Sequence, residues 1–312
     1  MHDSRKHTMC LKLTASLMVA LWSWGVWAQD LTPRAYIATP VHSNAVTLIY
    51  SFYDGSILLD GALPITDATG RIHVSLLSYY HSLNAFGRSA NITAVLPYGV
   101  GTFQGKQNGS LLSRYRSGLL DSQFRFAVNL VGGPAMTAQE MRKWKQKTVI
   151  GASFKIVAPT GQYDPTKLVN YGANRWEFKP EIALSQRWGD WLLDTYGAVW
   201  LFSANHRFYP GTANQTRGPI VGFEGHLSYD VRPRLWASFD SNFWFGGSTS
   251  VNGAESLNTL QRNSRIGGTA SIPISKHQSL KFSYSDGVVV QYGSAFQNVS
   301  IAWQYSWLGR PN

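Results

Sequence analysis

A thiol, a dense surface charge and a long apolar run are missing from almost all of this chain. The single cysteine, Cys10, lies before the apolar stretch Leu13–Trp27, so it is not the lipid-bearing first residue of an exported protein. Without it there is no disulfide framework and no cysteine metal site, which leaves strand pairing and packing to hold the fold. Charged residues make up 14% of the chain, where soluble domains carry about a quarter. After Trp27 no apolar run reaches the ~20 residues that a spanning helix needs. Catalytic signatures are equally scarce: there is no His-Glu-x-x-His, no Gly-Lys-[Ser/Thr] phosphate loop, no Gly-x-Ser-x-Gly elbow and no Gly-x-Gly-x-x-Gly. Those absences speak against the commonest metalloprotease, nucleotide-binding and serine-hydrolase chemistries, and no cofactor is expected. The formal charge is +11, of which Arg5, Lys6 and Lys12 against Asp3 supply +2. The other basic residues are scattered and form no stripe, so nucleic acid is not expected as a partner, whereas anionic lipid head groups or an anion-biased lumen are.

What the chain does contain is a leader and an alternation. Arg5, Lys6 and Lys12, the apolar run, and Val26-Trp27-Ala28 ahead of Gln29-Asp30 form the charged, apolar and small-residue parts of a signal peptide, with cleavage expected near Ala28. Residues 29–44 are then a periplasmic N-terminal segment, 45–307 the folded body and 308–312 a C-terminal tail. Near the end of the body, Val299, Ile301, Trp303, Tyr305 and Trp307 alternate with Asn298, Ser300, Ala302, Gln304 and Ser306. Successive side chains of a strand point to opposite sides, so one face is apolar and the other small and polar. The pattern recurs down the chain, with charges on the polar face that a packed core would not hold. It describes an all-β fold, a transmembrane antiparallel up-and-down β-barrel whose outer face meets lipid.

Twelve such segments lie between Ala45 and Trp307, and an even number suits a bacterial single-chain barrel. Tight connections at Asn84–Gly87, Gly189–Asp190, Arg232–Pro233 and Ser275–His277 alternate with long or Gly-rich ones. The long set is Asp54–Gly70, Tyr98–Gly118, Pro159–Asn174, Ala204–Pro219, Gly246–Gln261 and Ser285–Ala295. Short turns at one rim and long loops at the other put both chain ends in the periplasm. Gly132–Gln146 breaks this order: Ala135–Lys145 reads as a brief basic helix with Met136, Glu140 and Trp144 spaced at four, capping the periplasmic mouth or anchoring Trp144 at the interface.

Assigning faces produces the candidate site. In Arg175–Trp188, Trp176, Phe178, Pro180, Ile182 and Leu184 point outward, leaving Glu177, Lys179 and Glu181 inside. Arg125, Asp194, Glu224, His226, Asp240, Arg265 and Lys281 fall on the same inner side of their strands. A lipid-facing Lys or Arg near the midplane costs roughly 2–4 kcal/mol, so the interior has to hold these charges. With the aromatics Trp200, Trp236 and Trp244 they are read as lumen-lining, either as a selectivity filter along a solute path or as a network that props or plugs a narrow barrel. Glu224, His226 and Asp240 are the one group that resembles an acid/base pair with an orienting carboxylate. Two residues on a strand face are a weak signal, and no catalytic residue is assigned.

Several stretches taken together resemble a known family: Asn174-Arg-Trp-Glu-Phe-Lys-Pro-Glu-Ile-Ala-Leu-Ser, Arg187-Trp-Gly, Phe223-Glu-Gly-His-Leu-Ser-Tyr-Asp, Pro233-Arg-Leu-Trp-Ala-Ser, Asn263-Ser-Arg-Ile-Gly and Lys276-His-Gln-Ser-Leu-Lys. The set is similar to the bacterial outer-membrane proteins grouped as the meta-pathway phenol degradation family. The resemblance covers the mature chain and is densest from Gly151 onward. It implies an outer-membrane barrel with a part in the passive uptake of small aromatic or apolar solutes. Its partners would be membrane lipid, lipopolysaccharide, the solutes themselves and the barrel-assembly machinery. A structural or adhesive barrel with a plugged lumen is the alternative, and a barrel hydrolase a weaker one. The tail Leu308-Gly-Arg-Pro-Asn312 departs from barrels that end on their terminal aromatic. The loop alternation is checked by labelling: a cysteine at Asn252 should react with an impermeant thiol reagent on whole cells, and one at Pro233 only after the outer membrane is disrupted. Labelling of both sites only after disruption would refute the orientation.

Overall fold

A computed structural model describes residues 31–58, 65–107, 109–167 and 169–309. The expected leader, residues 1–28, lies outside the described residues. The first part of the wall is built from β1 (Ser43–Leu58), β2 (Ile65–Ala85), β3 (Arg88–Gln107), β4 (Ser110–Leu119), β5 (Ser122–Val131), β6 (Thr148–Ala158), β7 (Glu177–Trp188) and β8 (Trp191–Phe202). Two short strands follow, β9 (Asn205–Phe208) and β10 (Ala213–Arg217), before β11 (Ile220–Arg232) and β12 (Leu235–Gly246). Another short pair, β13 (Thr249–Val251) and β14 (Ala254–Ser256), precedes β15 (Gln261–Pro273), β16 (Gln278–Val289) and β17 (Gly293–Leu308).

β3 pairs with β4 beyond Tyr98 and with β5 from Ala90 to Val95, so β4 and β5 continue one wall strand, interrupted at Leu120-Asp121. The wall therefore has twelve antiparallel strands. It closes where β1 meets β17, in register from Ser43↔Leu308 to Leu58↔Gly293. The start of β1, the end of β17 and the tight turns, such as Trp188 to Trp191 and Arg232 to Leu235, lie at one rim, called here the terminal rim. The opposite rim is the loop rim.

Three of the expected loops are largely strand. Asp54–Gly70 and Tyr98–Gly118 lengthen the first two loop-rim hairpins, and β2 and β3 reach 21 and 20 residues. That is about twice what a tilted strand needs to cross a bilayer. Gln107 and Ser110 are register partners at the outer end of the β3–β4 hairpin. Ser285–Ala295 is likewise strand except for the short link between Val289 and Gly293. The loops Ala204–Pro219 and Gly246–Gln261 join each other, forming a separate four-stranded sheet in the order β14-β13-β10-β9.

The helix in the 132–146 segment, α1, is shorter than expected, covering Ala138–Lys143. Its start is fixed by a capping box: the Thr137 hydroxyl accepts the Glu140 N–H while the Glu140 carboxylate accepts the Thr137 N–H. The Thr137 N–H also holds the Glu140 carboxyl below its usual range. Met136 and Trp144 consequently fall outside the helix, and Met136 is buried, with its carbonyl accepting the Val41 N–H at 2.8 Å.

The segment expected to hang in the periplasm enters the barrel instead. From Leu31 to His42 it passes inside the wall: His42 N–H bonds the Ser82 carbonyl at the terminal rim, Thr39 meets Tyr80, and Tyr36 is 1% exposed. Outside, the apolar half of the alternation is bare, with Ile182 61% and Phe239 58% exposed on the face that meets lipid. Ile182→Lys, in mid-strand on that face, should lower stability by about 2–4 kcal/mol in a urea titration followed by heat-modifiable gel mobility. Ser300→Lys, on the inner face, should leave folding intact, and equal effects of the two substitutions would refute the inside-outside assignment.

Candidate functional site

A cavity of about 1330 Å³ runs inside the wall from the terminal rim, bordered there by Pro40, Asp190 and Ser306, up to Tyr53, Val74 and Leu120. Beyond that level the loop side is filled. Ile57, Ile72 and Phe296 pack with Tyr53, Val74 and Leu120, and Phe103 and Tyr171 lie against them. On another sector of the wall Val157, Trp200, Ile220 and Trp244 form a second apolar cluster beside Phe202.

Tyr171 reaches this layer because the β6–β7 connection folds inward. The Asp121 carboxylate, at the interruption between β4 and β5, accepts the N–H of Gly161 and that of Ala173, each at 2.8 Å. One wall side chain thus pinches both ends of the loop. Gly99 leaves room for the ring, since a Cβ there would lie 2.8 Å from Tyr171. Burial pushes the Tyr171 hydroxyl up. At the loop's outer tip Lys167 pairs with Asp164 at 2.7 Å and holds that carboxyl well below its usual range.

The inner charges cluster on β5, β7, β8, β11 and β12. Lys179 Nζ lies 2.7 Å from Glu181 Oε2 and 3.1 Å from Glu224 Oε1. Glu224 Oε2 stands 3.5 Å from His226 Nε2, and His226 Nδ1 is 2.9 Å from Asp240 Oδ1, which Thr269 supports through the other oxygen at 2.7 Å. Arg125 approaches Glu181 at 3.4 Å. Asp194 accepts bonds from the Ser185 hydroxyl and from the Arg34 N–H. Such pairing is what makes interior charge tolerable, because a buried charge without a partner is strongly destabilising.

The N-terminal segment docks on this network. Tyr36 places its hydroxyl 2.8 Å from Glu181 and 2.9 Å from Ser153, and packs its ring against Tyr196, Ala127 and Ala183. Gly151 makes the seat, because a Cβ there would collide with the Tyr36 ring. Arg34 adds a 2.6 Å salt bridge to Asp230. None of these segment residues was foreseen.

The expected lumen-lining set divides. Arg125, Lys179, Glu181, Trp236 and Lys281 border the cavity. Asp194, His226, Asp240, Glu177 and Arg265 are almost fully buried inside the wall, as are Trp200 and Trp244. Glu224 is held between Lys179 and His226. In the proposed acid/base group the His226 and Asp240 side chains have no exposure and Glu224 keeps 11%, which leaves the histidine and its orienting carboxylate out of reach of a substrate. Among the described residues no group of His, Cys, Asp and Glu has the geometry to hold a metal. Lys155 and Arg34, which also border the cavity, were missed. Lys155 sits on the same inner face as Ser153, one alternation further along β6, and that position was the available signal.

Comparison with known proteins bears on the fold and the family. The COG4313 outer membrane channel from Pseudomonas putida F1 is similar with a TM-score of 0.74 and 18% identity, over 89% of this chain and 100% of that one. The transport unit of the autotransporter AIDA-I from Escherichia coli aligns with a TM-score of 0.49 and 10% identity, over 95% of this chain and 97% of its own. No curated protein matches the sequence. The first likeness establishes a barrel of the outer-membrane type, in contact with membrane lipid. A family model described as "Putative MetA-pathway of phenol degradation" matches residues 62–305, most of the described wall, and the chain belongs to that family.

Proposed function

We infer that this barrel is a channel of the outer membrane through which small aromatic or apolar solutes pass by diffusion, with the terminal rim toward the periplasm. The observation that carries the reading is the cavity of about 1330 Å³, open along strands whose inner faces are small and polar, such as Ser51, Ser283 and Ser300. A barrel serving only as a scaffold has no need of that volume. Toward the loop rim the barrier is a layer of side chains and one inward loop, not a folded domain. The P. putida protein is by its name a channel, and the family is named for phenol degradation, which together support solute passage and an aromatic substrate class. No residue is assigned to bond-breaking chemistry, because the histidine of the one suggestive group is sealed in the wall.

The reading of a plugged, adhesive barrel has its own observation, the segment from Leu31 to His42 inside the lumen. Liposome swelling separates the two. Reconstituted protein should admit benzyl alcohol and phenol faster than a trisaccharide. Gly151→Ala, which takes away the seat of Tyr36, should raise the rate severalfold while the barrel still shows heat-modifiable mobility. Absence of swelling with the wild type and the variant alike would establish the plugged barrel.

A further inference from the structure

Three aromatic rings of the inner wall each carry two cations. At Trp236 the Arg34 guanidinium lies 4.3 Å and the Lys281 ammonium 5.8 Å from the ring centre. At Trp200 the pair is Lys155 and Lys179, at 5.6 and 5.5 Å. At Phe202 it is Arg175 and Arg217, at 4.8 and 5.1 Å. Trp200 and Phe202 occupy alternate inner positions at the loop-rim end of β8, and Trp236 stands near the start of β12 at the terminal rim. Of these three stations Trp236 borders the cavity, whereas Trp200 and Phe202 lie at the buried apolar cluster beyond it.

The charges are also sorted by what they face. Among the described residues bordering the cavity, eight are basic and three acidic, although the wall as a whole holds many carboxylates. Asp194, Asp240 and Glu177 are withdrawn into the network, at 0%, 0% and 3% exposure, as are Arg175 and Arg265 at 1% each. Lys281, by contrast, is exposed to the cavity, and among the described residues no carboxylate pairs with it. At the upper station Arg175 pairs with Glu177, while Arg175 Nη1 and Arg217 Nε are buried donors with no hydrogen-bond partner. Burial, and then the Arg175 charge, pull the Arg217 guanidinium down to about 10. On the cavity itself, Lys281 is the place where one more negative charge is favoured.

We propose that the solute is an anion bearing an aromatic ring, such as an aromatic carboxylate, and that Trp236 with Arg34 and Lys281 is its station on the cavity wall. This rests on the channel reading and narrows its substrate class. The Trp236 ring beside the Lys281 ammonium fixes its position without neutralising it, so that charge remains available to a passing carboxylate. Guanidinium and ammonium groups make strong charge-assisted bonds to carboxylates. The solute's ring meets an aromatic side chain at the same place, and low-dielectric walls of one sign concentrate the oppositely charged solute.

The test is swelling of liposomes holding the full mature chain, with benzoate, acetate, benzyl alcohol and benzyltrimethylammonium as solutes. Benzoate should enter severalfold faster than benzyltrimethylammonium and faster than acetate. Lys281→Gln should reduce the benzoate rate while leaving that of benzyl alcohol unchanged. Should the variant lose heat-modifiable mobility, the wild-type comparison decides alone. Entry of benzyl alcohol with no preference between benzoate and benzyltrimethylammonium would leave the channel standing and overturn the anionic class. Equal rates for acetate and benzoate would overturn the aromatic part, and exclusion of all four solutes would overturn the channel reading together with this proposal.

Discussion

A backbone that crosses lipid cannot leave a single N–H or C=O without a partner, and here the pairing of the first wall strand with the last satisfies that demand. The β1–β17 ladder runs from Ser43↔Leu308 to Leu58↔Gly293 without a bulge, and Gly309 extends it by donating its N–H to the His42 carbonyl. Closure has a second effect. In a ring of antiparallel strands the inside and outside of every strand are fixed together, since a slip of one residue anywhere would turn a whole strand's apolar set inward. Ile182 opposite Ala152 and Gly197, and Phe239 opposite Leu227 and Gly268, are held outward by that shared register.

The interior charges follow from the same geometry. Lys179, Glu181, Glu224, His226 and Asp240 have only two places to be, and lipid is the worse one. Inside, each is satisfied by a neighbour one or two strands away, so the network ties β7, β11 and β12 together across the wall. Buried pairs of this kind add little net stability over apolar packing. Their contribution is positional: Glu181 is oriented by Lys179 and Arg125, and is thereby ready to receive the Tyr36 hydroxyl. The N-terminal segment is thus seated on groups that the wall had already ordered.

How much of this was legible in the sequence depended on whether a residue's environment repeats along the chain. The lipid face repeats every second residue, so Ile182, Phe223 and Phe239 could be read outward, and the tight turns at Gly189 and Pro233 could be placed. In the outer half of β2 the apolar face turns inward, with Gly70, Ile72 and Val74 buried and Thr69, Arg71 and His73 exposed, because there the inner face packs on the apolar layer while the outer face meets water. The Asn108-Gly109 dipeptide was an available turn signal and went unread. The segment from Leu31 to His42 has no period at all. Its contacts are set by residues far along the chain, with Arg34 and Asp230 separated by 196 positions and Tyr36 and Glu181 by 145. Alternation identifies the inner side of a strand, but it cannot tell Glu177, sealed against Arg175, from Lys281, open to the cavity.

Why the lumen is divided at all comes down to strand number. A barrel of eight strands can be filled by its own side chains, whereas sixteen or more leave a water-filled channel. Twelve lies between, and the interior is too wide for wall side chains to pack it unaided. On one side the long residues of β6 to β12 reach inward and the N-terminal segment completes the filling, with Tyr36 seated at Gly151 and Arg34 on Trp236 and Asp230. On the other side β1, β16 and β17 present Ser51, Ser283 and Ser300, which are too short to reach anything opposite. Free volume must collect over those short residues. The cavity is accordingly eccentric, bounded on one flank by hydroxyls and on the other by the cations that the segment and the network hold toward it.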